Sequence, residues 1–163
     1  GKDWVGRSAV NKDLTYNWEY IWNYINKYSV ITDDPFPFIF KEIYEKYPND
    51  KYILTYRDPN TWVESFKFGF DRDWSRLFSC KKALYPVKRP KGNEEVVKEI
   101  YNNLNSSILK FFSDKDNFIH FDIDLLNTLD RREKWSLISD FLDVELTDRI
   151  LLKPFPKRRA RKL

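Results

Sequence analysis

The chain has 163 residues, 42% of them hydrophobic and 33% charged, with a formal net charge of +4. That length fits one domain spanning 1–163, with enough apolar side chains for a single core. The near balance of charge argues against a general or sequence-specific nucleic-acid binder, no run approaches the ~20 apolar residues of a membrane span, and one cysteine with one histidine rules out an internal disulfide and a Cys/His zinc cluster.

Taken in chain order, apolar residues at Leu14, Trp18, Ile21, Trp22 and Ile25 predict an amphipathic helix over 13–28. Ser29 to Thr32 is a short β-like run that stops at Asp33-Asp34-Pro35. Pro37 to Tyr47 predicts a second helix with Phe40, Ile43, Tyr44 and Tyr47 on one face, broken by Pro48-Asn49-Asp50. Lys51 to Tyr56 (KYILTY) is the clearest strand, short and largely apolar as a buried parallel strand requires. It runs into Arg57-Asp58-Pro59, where Asp58 caps and Pro59 opens a helix over about 60–68.

Gly69 to Gly92 reads as an irregular segment with Pro86 and Pro90, a lid or substrate loop over 69–92. Asn93 to Phe112 predicts a long helix with Val96, Val97, Ile100, Leu104, Ile108, Leu109 and Phe112 inward. Asn117 to Ile123 (NFIHFDI) predicts another strand, and a helix follows over about 130–142. A basic tail, 153–163, closes the chain with five cations in its last seven residues. Helices alternating with two or three short apolar strands predict an α/β class: an open parallel sheet flanked by helices on both faces.

In such a sheet, ligands bind beyond the carboxyl ends of the strands. Arg57 stands at that end of the strongest strand, and Ser65 follows eight residues on, inside the next helix. A guanidinium supplying charge and paired donors, with a hydroxyl supplying one more, suits a phosphate dianion. The spacing leaves an alternative open: Arg57 pairing with Asp58 or Asp122 at the sheet edge, and Ser65 on a solvated face.

The segment Lys51 to Ser65 resembles the 3′-phosphate-binding segment of sulfotransferases that use 3′-phosphoadenosine 5′-phosphosulfate (PAPS). The similarity extends over roughly 30–156. Asp33-Asp34-Pro35 precedes a helix ending in Tyr-Pro, and Trp135, Phe141-Leu142 and Pro154-Phe155-Pro156 follow in the family's order. The resemblance implies a P-loop NTPase-like sulfotransferase fold and transfer of a sulfuryl group from PAPS to a hydroxyl or amine. It implies that Arg57 and Ser65 contact the 3′-phosphate, that 3′,5′-adenosine diphosphate is the product, and that no metal is required. Lys157, Arg158 and Arg159 stand where related enzymes grip the nucleotide with a C-terminal basic loop. The Arg-Lys-Gly pattern of the cytosolic enzymes is absent, and a solvated tail or a weak polyanion contact are the other readings.

Aligned on Pro35, Asp33 takes the place of the family's acceptor-side base, a His in many members and a carboxylate in others. The competing reading is that Asp33 or Asp34 caps the helix near Phe36. His120, amid Phe118, Ile119 and Phe121, reads as a core or sheet-edge residue. Trp62, Phe66, Phe68, Trp74 and Tyr85 are candidates for stacking on adenine or the acceptor, or are simply core.

The family's phosphosulfate loop needs glycines and a Lys between a strand and a helix. Gly6-Arg7-Ser8 lacks the preceding strand, a second Gly and the Lys, and the four glycines, at 1, 6, 69 and 92, build no cradle. With no Met in the chain, the expectation is that the parent protein carries this loop upstream and that these residues alone do not catalyse transfer. The alternatives are a non-catalytic sulfotransferase-like binding or scaffold domain and a P-loop kinase-like phosphotransferase. Expected partners are a small-molecule or glycan acceptor in the cytoplasm.

Overall fold

The computed structural model describes residues 8–11, 13–70 and 83–148. The chain divides into two compact units, one drawn from Gly1–Asp50 and Asp58–Asp114, the other from Lys51–Arg57 and Lys115–Leu163.

The first unit is helical. Asp13 accepts hydrogen bonds from the Thr15 hydroxyl and backbone N–H at 2.7 and 3.1 Å, holding those residues in a turn. Helix α1 therefore begins only at Trp18 and runs to Ile25, with the Asn17 side chain accepting from the Tyr20 N–H at 3.2 Å. It is shorter than the apolar spacing predicts, and it buries Ile21 and Ile25. Residues 29–32 form no strand: Val30 is 81% exposed, and with no strand beside it among the described residues this β-prone run stays irregular.

A 3₁₀ turn, Phe36–Ile39, leads into α2, Phe40–Lys46, which splits the predicted second helix in two. Helix α3, Pro59–Phe70, starts as expected: the Asp58 carboxylate accepts from the Thr61 N–H at 2.9 Å and its hydroxyl at 3.0 Å. Helix α4, Glu94–Phe111, follows Gly92, whose φ of 82° suits glycine at the turn.

Tyr101 stacks on Trp62 with ring centroids 4.1 Å apart, and Phe66 meets Tyr85 at 4.8 Å. Val10, Val63, Leu84 and Val97 complete this core. The Lys67 ammonium donates to Glu64 at 2.8 Å and to Glu94 at 3.2 Å, tying α3 to α4. Those bonds raise the Lys67 pKa; backbone N–H donation, its own first, and Lys67 lower that of Glu94. At the far end of α4, Phe112 is 3% exposed and packs on Phe40 and Tyr44 of α2.

The second unit holds the sheet. Strand β1, Tyr52–Tyr56, pairs in parallel with β2, Phe118–Asp122, in a register running from Tyr52 opposite Phe118 to Tyr56 opposite Asp122. A parallel pair needs a long connection, and here the intervening chain carries α3 and α4. The chain is thus an α/β protein with a parallel sheet, and among the described residues that sheet has two strands.

Ile123 leaves the predicted strand to open a short helix, α5, Ile123–Leu126. Helix α6, Arg131–Leu142, starts with a capping box: Asp130 accepts from the Glu133 N–H at 2.9 Å, and Glu133 accepts from the Asp130 N–H at 2.7 Å. A cap of this kind contributes about 1 kcal/mol. Asp143 ends the helix at φ 54°, and the Lys51 ammonium just ahead of β1 bonds the Phe141 carbonyl at 2.5 Å and pairs with Asp143. Among the described residues no helix is long and apolar enough to cross a membrane.

Candidate functional site

Arg57 directly follows the last residue of β1, at the carboxyl end of the parallel pair, which is where open α/β sheets receive ligands. Its guanidinium lies 3.6 Å from the Asp124 carboxylate, with side-chain exposures of 24% and 46%. This partner was not among the sequence alternatives, Asp58 and Asp122. Asp58 caps α3, and Asp122 accepts from the Asp124 and Leu125 N–H groups at 2.8 and 3.3 Å to cap α5. That cap carries Asp124 to Arg57. A long ion pair between partly exposed groups contributes at most about 1 kcal/mol, so this carboxylate competes only weakly with a stronger anion for the guanidinium.

Ser65 sits within α3, half-buried, between the buried residues Val63 and Phe66. It belongs to the helical unit, whereas Arg57 belongs to the sheet unit. Each residue is placed by its own element, the arginine by a strand end and the serine by a capped helix.

Asp33 is exposed and has φ 76°, a conformation that Asp tolerates better than most residues. Its carbonyl accepts from the Phe36 N–H at 3.1 Å, closing the turn into the 3₁₀ segment. Asp34 is 7% exposed and precedes a cis peptide to Pro35. The N-cap position of the 3₁₀ segment is Pro35. Asp33 displays its carboxylate at the surface of a fixed turn, while Asp34 is buried beside it.

His120 lies exposed on β2 opposite Leu54, near the Tyr56 and Phe118 rings at 5.9 and 6.1 Å. The aromatic candidates divide sharply. Phe66 and Tyr85 are 6% and 4% exposed, and Trp62 stacks between Phe66 and Tyr101. These three are core, the second of the two readings offered for them, and Phe68 is 60% exposed. Within the expected loop 69–92, Leu84 and Tyr85 are buried as core and 71–82 lie outside the described residues, as do Trp74, Lys157, Arg158, Arg159 and the tail 153–163. Asp124 is the residue that sequence reasoning missed. Its signal was the Asp-Ile-Asp spacing after an apolar strand, in which the first Asp caps and the second turns back to the strand end.

A family model described as a sulfotransferase domain matches residues 5–162. No curated protein and no solved structure matches the chain.

Proposed function

The chain belongs to the sulfotransferase domain family, and from that premise we propose that it binds PAPS and serves sulfuryl transfer to a hydroxyl or amine of a small-molecule or glycan acceptor. The observation that carries the reading is a guanidinium at the carboxyl tip of a parallel strand, with a long ion pair to Asp124. In the proposed assignment Arg57 and Ser65 bind the 3′-phosphate, the arginine through charge-assisted paired donors and the serine through its hydroxyl. Lys157, Arg158 and Arg159 add positive charge around the same nucleotide.

The proposed chemistry is a displacement at sulfur. The acceptor oxygen or nitrogen forms a bond to sulfur, the bridging sulfur–oxygen bond breaks, and 3′,5′-adenosine diphosphate departs. Asp33 takes the acceptor proton. A surface carboxylate in a fixed turn is reachable by a substrate hydroxyl, and its geometry matters before its basicity. No metal enters the scheme, and the proposed compartment is the cytoplasm.

Turnover is tested on the parent protein carrying the expected upstream phosphosulfate loop, incubated with PAPS and a panel of hydroxyl and amine acceptors while 3′,5′-adenosine diphosphate is measured. Acceptor-dependent release that persists in excess chelator is expected. Tight binding of the nucleotide with no release under any acceptor would instead identify a binding module on the same fold.

A further inference from the structure

A second feature of the helical unit has no part in that scheme. Helices α1 and α2 face each other across an open cleft of about 340 Å³, lined by Trp18, Trp22, Glu42, Glu45 and Lys46. The volume lies at the lower end of the range for small-molecule sites. The spacing explains the lining. Trp18 and Trp22 are one helical turn apart on α1, and Glu42, Glu45 and Lys46 share one face of α2.

The two indoles are stacked, with centroids 5.3 Å apart and planes inclined by 20°. They are only partly buried, although large aromatics gain most when buried completely. Across the cleft they meet charged side chains rather than apolar ones, and the Lys46 ammonium sits 4.3 Å from the Trp22 ring centre. The walls are fixed against each other. Trp22 packs edge-on to Tyr47 at 6.3 Å, and the Tyr47 hydroxyl donates to Asn26 Oδ1 at 2.7 Å, joining the ends of α1 and α2.

The chemistry of the rim selects among ligands. A cation would meet the Lys46 ammonium, and an anion would meet two glutamates. A neutral ring bearing hydroxyls uses all three, donating to the carboxylates and accepting from the ammonium, while its C–H face lies on an indole. From this combination of aromatic wall and mixed donors and acceptors we infer that the α1–α2 cleft is a saccharide-binding site. A sugar ring takes the place of the Lys46 ammonium over Trp22, and the ammonium turns to a ring hydroxyl. The inference does not depend on the sulfuryl-transfer reading and is tested without nucleotide.

The test is titration of the chain with methyl α-glucopyranoside, maltotriose and cellotriose, reading indole N–H resonances by NMR. Phe substitutions at Trp18 and Trp22 assign the two signals among six tryptophans. Saturable shifts of both signals by at least one sugar are expected, with loss of binding in Trp22→Ala. The surface double variant Glu42→Ala/Glu45→Ala, which keeps the aromatic packing, is expected to bind about tenfold more weakly through its lost charged acceptors. The inference is overturned if none of the sugars moves these signals, if the glutamate double variant binds equally well, or if tetramethylammonium chloride shifts them as strongly as the sugars do.

Discussion

Arg57→Ala is expected to weaken binding of 3′,5′-adenosine diphosphate by about 1.5–3 kcal/mol, the worth of hydrogen bonds to a charged group. That corresponds to roughly a ten- to hundredfold rise in Kd. The expectation rests on the position of the guanidinium. It stands at the tip of β1, beside a sheet whose register brings Asp122 level with Tyr56, and a partly exposed carboxylate lies 3.6 Å away. A phosphate dianion offers it twice the charge and two oxygens in the geometry of its paired N–H groups. Arg57→Lys keeps the charge but loses the paired geometry, and it should fall between the wild type and the alanine variant. Isothermal titration of the three proteins checks the order. Asp124→Asn separates the two partners of the arginine: removing the competing carboxylate should leave the affinity unchanged or slightly improved.

The second large effect concerns the core of the helical unit. Phe112→Ala is expected to destabilise the chain by about 3–5 kcal/mol in denaturant unfolding, the cost of deleting a buried phenyl ring and leaving a cavity. The ring is 3% exposed and lies within 6.1 Å of Phe40 and 5.4 Å of Tyr44 by ring centroids, so it joins the end of α4 to α2. Phe111, on the neighbouring position, meets Phe40 and Tyr44 as well, at 5.3 and 5.4 Å, but is only partly buried. Phe111→Ala should therefore cost less than Phe112→Ala. Equal losses would mean that the two rings share the load and that burial is a poor guide here.

Much of this architecture was legible from residue order. KYILTY followed by Arg-Asp-Pro announced a strand, a cap and a helix, because each of those local preferences agrees with the others. The parallel pairing of β1 with β2 follows from two apolar runs separated by helical sequence. The failures have physical causes. Ser29 to Thr32 has the composition of a strand, but strand propensity is realised only against a neighbour, and among the described residues no strand pairs with Val30. The start of α1 was lost to the Asp13–Thr15 turn, a local competition that periodicity does not register. On α4, Val96 and Val97 cannot both face inward; Val97 is fully buried and Val96 is 44% exposed.

The candidate site was less legible. Asp33 and Asp34 are equivalent in sequence, and only the turn distinguishes an exposed Asp33 from a buried Asp34. Aromatic residues gave no warning of their division, since Trp62 and Tyr85 proved to be packing while Trp18 and Trp22, read simply as a helix face, line an open cleft. The strand-end arginine could be located in advance because the carboxyl edge of a parallel sheet is fixed by topology rather than by side-chain detail.

The central claim is that this chain recognises a phosphate on the 3′ carbon of an adenine nucleotide. Calorimetric titration with 3′,5′-adenosine diphosphate and, separately, with 5′-AMP compares the two ligands that differ by that group alone. The account predicts at least tenfold tighter binding of the bisphosphate, a preference that Arg57→Ala abolishes. Equal affinity for the two nucleotides in the wild type would contradict it.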